Sequence, residues 1–73
     1  MNNHEAAVKM IEAEIATIPA TAFPVMAGSV CRMAIFLAHR LEAIASAERD
    51  DYLKQVRALE MTRFVELLQG AAA

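Results

Sequence analysis

Glycine and proline number two each in these 73 residues, tryptophan is missing, and cysteine occurs once. So few chain breakers leave little room for loops and point to helices. A lone Cys31 excludes an internal disulfide and suits a reducing compartment. Basic residues are also sparse. Seven Lys and Arg against nine Asp and Glu give a net charge of −2 with no basic stripe, so nucleic acid is not expected as a direct partner. A groove-reading third helix fails on the same ground: Lys54, Arg57 and Arg63 point in different directions around it, while Asp50, Asp51, Glu60 and Glu66 oppose phosphate.

Long uninterrupted apolar runs are absent too. Residues 15–31 carry no charge, but Pro19 and Pro24, with Thr17, Thr21, Gly28 and Ser29 around them, read as a helix end, a linker and a helix start rather than a span of about 20 apolar residues. The run 33–38 is too short to span, and segment one carries Glu5, Glu12 and Glu14 where a peripheral membrane helix needs cations, so no membrane partner is expected. Residues 1–5 lack the basic region and apolar run of a signal peptide, which predicts a cytoplasmic chain.

Constellations for catalysis are equally scarce. His39 and Glu42, three apart, are a weak metal-ligand pair without further ligands. Cys31 stands beside Arg32, but a buried cysteine behaving as a small hydrophobe is the commoner case. Ser29 in Ala27-Gly28-Ser29-Val30 lacks the second glycine and the preceding strand of a nucleophile elbow, and no phosphate-cradling glycine loop is present. The expectation is a chain that is not an enzyme and has no cofactor, no metal and no catalytic residue.

What the chain does have is apolar surface: 58% of its residues are hydrophobic, Ala alone contributing 16. Domains of this size hide only about 60% of the surface their unfolded chains expose. That excess predicts association with another chain.

Three helical segments follow from the spacing, within one domain. The first covers about 3–18, with Asn2 and Glu5 as a loose capping box, Glu5 and Lys9 as an i,i+4 pair, and Val8, Ile11, Ile15 and Ile18 on one seam. A proline linker covers 19–24. The second helix covers about 24–45 and shows two apolar faces. Met26, Val30, Met33, Leu37, Leu41 and Ile44 form the stripe expected to face the core, while Arg32, Ile35, Phe36 and His39 on the other side are the expected protein-binding residues, with Phe36 as anchor. The competing reading packs Phe36 under helix one or three.

The third segment covers about 47–69, with Leu53, Val56, Phe64 and Leu67 on one side, Gly70 as a C′ residue and 70–73 as a tail. Glu60 falls within its apolar arc, where it either bends to solvent or pairs with Arg or Lys across an interface. Without Gly or Pro between 24 and 70, one continuous rod is the alternative to two helices. The apolar stripe changes phase past Ile44, however, and Ser46 can cap a new helix, so a turn is expected at 46–49.

The reading as a whole is an all-α helical hairpin or three-helix unit completed by dimerisation. Its expected role is that of a homodimeric regulatory inhibitor or adaptor that binds a larger protein. An obligate structural subunit or co-chaperone is the alternative, and a small helical enzyme or metal-binding protein comes third.

Overall fold

Asn2 opens the first helix in the way its spacing to Glu5 implies. Its side-chain oxygen accepts the Glu5 N–H at 2.7 Å, and its Nδ2 donates back to the Glu5 carboxylate at 3.3 Å. The structure, a computed structural model, describes residues 2–72; Met1 and Ala73 lie outside the described residues. Three α-helices and no strand are present among them: α1 (Asn3–Ile15), α2 (Pro24–Arg40) and α3 (Ser46–Ala72), with a 3₁₀ turn at Ile18–Ala20. The protein is all-α, and no helix of the described residues is long and apolar enough to cross a membrane.

Helix α1 stops at Ile15 rather than running to 18. Ile18 precedes a proline and is disfavoured in the α region, and the Thr17 hydroxyl donates to the Glu14 carbonyl at 2.7 Å, tightening the chain before Pro19 enters the 3₁₀ turn. Pro24 then occupies the first position of α2, where its missing N–H removes nothing.

Helix α2 ends at Arg40, five residues before the expected boundary. The reason is a Schellman motif: the Glu42 N–H bonds the His39 carbonyl at 2.9 Å and the Ala43 N–H bonds that of Ala38 at 2.8 Å. Glu42 takes the left-handed conformation this closure requires, with φ 61°. Because glycine usually holds that position, the sequence carried no mark of the stop.

The chain reverses through residues 41–45, so the single rod does not form. Helix α3 begins at Ser46, but the cap is not the Ser46 hydroxyl. The Glu48 carboxylate accepts the Ala45 N–H at 2.8 Å, while Ser46 Oγ stands 3.1 Å from His39 Nε2. At its far end α3 passes through Gly70 to Ala72 instead of ending at Gln69.

The core is where the three helices meet. Ile11 and Ile18 from the first segment, Cys31 and Ile35 from α2 and Val56 from α3 are fully buried, with Ala7, Ile15, Ala38, Ile44 and Tyr52 around them. The inward face of α2 is therefore Pro24, Gly28, Cys31, Ile35 and Ala38. This reverses the expected orientation of that helix. Of the stripe assigned to the core only Ile44 is buried, and it lies in the turn beyond the helix, whereas Met26, Val30, Met33, Leu37 and Leu41 all face outward. Packing volume accounts for the reversal. The isoleucine row of the first segment and Val56 already fill the centre, so the facing side of α2 must be mostly small for the helices to approach.

Candidate interaction surface

Helix α2 advances 100° per residue, so Met26, Val30, Met33 and Leu37 share an arc of about 60° on the side opposite Gly28, Cys31 and Ile35. Their exposures are large: Met33 is 73% exposed, Met26 67% and Leu37 56%. Over this row, from Met10 and Glu14 of α1 across to Arg32, Phe36 and Arg40, lies an open groove of about 820 Å³, whose walls also include Val30, Met33 and Leu37.

On the α3 flank a second groove of about 590 Å³ runs between Val25, Phe36, Met61 and Phe64, with Arg32 and Glu60 among its lining residues. Those two side chains form an ion pair. Glu60 thus turns inward and finds its cation within its own chain, neither in solvent nor across an interface. Gly28 permits this, since a Cβ at that position would overlap the Glu60 carboxyl.

The α3 groove continues towards the start of α2 as a third hollow of about 640 Å³, between Phe23, Met26, Phe64 and Leu68. Arg63 anchors this end, its Nε donating to the Thr21 carbonyl at 2.7 Å. The overhang has a simple cause: α3 has 27 residues and α2 has 17, about 40 Å against about 25 Å, so the last turns of α3 outrun the helix they pack on.

The four expected binding residues separate. Ile35 is fully buried, and as a core residue it is not available to a partner. Phe36 is 51% exposed and lines both of these grooves. Arg32 is half-buried in its pair with Glu60. His39 is drawn to the α2–α3 junction, where Nε2 meets Ser46 Oγ and Nδ1 lies 3.5 Å from an Arg49 guanidinium nitrogen. The outward row of Met26, Val30, Met33 and Leu37 was missed as a surface because it is the more hydrophobic of two faces with the same spacing. The signal that could have found it is the size of the opposite residues, Gly28, Cys31 and Ala38.

Reactive chemistry is muted at these surfaces. Burial, with the nearby Glu14 charge second, pushes the Cys31 thiol above its ordinary value, so it stays protonated and unreactive at neutral pH. Among the described residues no group of three His, Cys, Asp or Glu side chains could hold a metal ion. No protein-family model, curated protein or solved structure matches the chain.

Proposed function

We propose that this chain is a non-enzymatic protein–protein interaction module of the cytoplasm, a homodimeric regulatory inhibitor or adaptor that binds a larger protein. The observation that carries the reading is the outer surface of α2. A helix whose outward residues are Met, Val, Met and Leu at half to three-quarters exposure is built to be covered, because monomers seldom display contiguous apolar patches of that extent. Phe36, exposed in the lining of two grooves and next to Arg32, supports a role as anchor for the larger partner, since aromatic and Arg side chains dominate the energetics of many interfaces.

The same surface supports a second reading, an obligate subunit or co-chaperone whose apolar face is covered permanently by a different chain. Sedimentation and thermal melting of the purified protein separate the two. A cooperatively melting dimer at micromolar concentration is the result expected for the regulator, and an aggregating or molten chain is that expected for the obligate subunit. A compact monomer with a cooperative melt would defeat both.

A further inference from the structure

The geometry points to the trough between α2 and α3 as the seat of a single amphipathic helix from a different protein, one with an acidic residue beside its apolar face that pairs with Arg57. The inference rests on the reading of the chain as a module that binds a larger protein, and adds the groove, the partner's conformation and its charge.

The trough is continuous and long enough for a helix. Its two hollows share Val25 and Phe64, so one channel runs along α3 from Leu53 to Leu68, about 22 Å at 1.5 Å per residue. A helix of about 15 residues, or four turns, spans that length. Phe23 and Phe36 stand on the α2 side, with Leu53, Met61, Phe64 and Leu68 on the α3 side. All of these except Leu53 are exposed.

The walls select the conformation of the occupant. Both long walls are helices whose backbone groups are bonded within themselves, so they offer no ladder of donors and acceptors to an extended segment. A helix brings its own backbone hydrogen bonds and needs only apolar contact.

Charge sets the partner's character. The polar side chains that line the trough are Ser29, Arg32, Arg57 and Glu60. The Ser29 hydroxyl donates to the Val25 carbonyl at 3.0 Å, and Arg32 pairs with Glu60. Arg57 is exposed and takes part in no ion pair among the described residues. The lining thus holds a surplus cation in a chain of net charge −2, which attracts a carboxylate and repels a basic helix. Arg57 lies towards the Leu53 end, about 16 Å from Leu68, so the acid belongs near one end of the partner's apolar row.

A second copy of this chain answers those requirements poorly. Helix α2 contains no acidic residue, and its exposed side would bring Arg40 to the trough, the same sign as Arg57. The acidic α1 has its isoleucines buried in its own core. The exposed row of α3 is headed by Arg57 itself, and the Asp50 carboxylate beyond it is held by Arg49.

A display library of helical peptides of about 16 residues tests this on the full-length protein, with apolar residues fixed on one face at i, i+4 and i+7 and the flanking positions varied among Glu, Gln and Lys. Peptides with Glu beside one end of the apolar row should be enriched. Arg57→Glu should weaken the enriched peptide by about tenfold or more, and Lys in place of that Glu should return most of the loss. Phe64→Asp should cost about thirtyfold or more, whereas Met33→Asp on the outer row of α2 should change little. These side chains are exposed, so helical circular dichroism should be retained, and the charge exchange at Arg57 decides the matter should Phe64→Asp unfold. Failure of any peptide to be enriched, enrichment without acid, or binding lost with Met33→Asp but not with Arg57→Glu overturns the inference. Sedimentation in which Phe64→Asp abolishes self-association overturns it too, by making a second copy the occupant. A dimeric wild type with no such peptide defeats the trough alone, and a monomeric wild type that still takes the peptide there defeats the homodimer alone.

Discussion

The two sides of α2 share one backbone and nearly the same four-and-three residue spacing, yet one is sealed and the other open. The inner side is Pro24, Gly28, Cys31, Ile35 and Ala38; the outer side is Met26, Val30, Met33 and Leu37. Ranked by hydrophobicity alone, the outer side belongs inside. It is outside because a core fed by Ile11, Ile15, Ile18 and Val56 has room for only one bulky residue from α2, and small side chains let the helices close the remaining gap. Side-chain volume decided which side turned in, and the displaced hydrophobic row became the candidate contact.

The sharpest way to break this comparison is to truncate one residue on each side. Ile35→Ala should lower unfolding stability by about 2–4 kcal/mol, through lost transfer energy and a cavity that three helices cannot collapse around. Leu37→Ala should leave the melt of dilute protein little changed and act instead on its dependence on protein concentration. Equal losses in urea titrations of dilute protein would mean that the two sides do not differ as described.

A smaller effect probes the close approach at Gly28. In the wild type, Gly28→Ala combines a gain in helix propensity with displacement of the Glu60 carboxyl from Arg32, and the two should largely cancel. In a Glu60→Ala background the propensity gain stands alone and should appear as about 0.8–1 kcal/mol of added stability. A double-mutant cycle with no coupling between the two positions would remove Glu60 from its place over Gly28.

Relieving the left-handed residue after α2 gives a change of similar or lesser size. Glu42→Gly should raise stability by about 0.5–1 kcal/mol, the relief of the backbone conformation exceeding the added freedom of the unfolded chain. Destabilisation in thermal melts would count against the Schellman closure.

The smallest expected effect lies in the pH response. The Ala45 N–H, and secondarily His4, hold the Glu48 carboxyl below its usual range, so its contribution is present above the unfolded carboxylate pKa of about 4.5 and fades as pH falls through the lower folded value. Glu48→Gln should flatten the acid limb of the stability profile. At the alkaline end, burial raises both Cys31 and Tyr52, whose neutral forms support the fold below about pH 9–10 and whose ionisation opposes it above. A thiol reagent added to native protein at pH 7 should therefore react with Cys31 at the rate of unfolding, and fast labelling would show an open α2.

Several features were legible because their causes are local. The Asn2–Glu5 cap, the break at the prolines and the isoleucine seam of the first segment each depend on residues within a turn or two of one another. The phase change past Ile44 correctly announced that α2 and α3 are separate helices, although the turn lies at 41–45 and Glu48 provides the cap. Glu60 was not legible, since its partner Arg32 is 28 residues away and only the packing of α3 on the glycine of α2 brings them together.

The sequence by itself determined that the chain is helical, where its prolines interrupt it, and that it carries more apolar surface than one small core can hide. These follow from propensity, capping and composition, which act residue by residue. Tertiary structure alone decided which side of α2 faces inward, that Ile35 joins the core while Phe36 beside it stays half exposed, and that Glu42 closes the helix in a left-handed conformation. Those outcomes depend on how the volumes of three helices fit one space, and periodicity, which records where apolar residues recur, carries no measure of that fit.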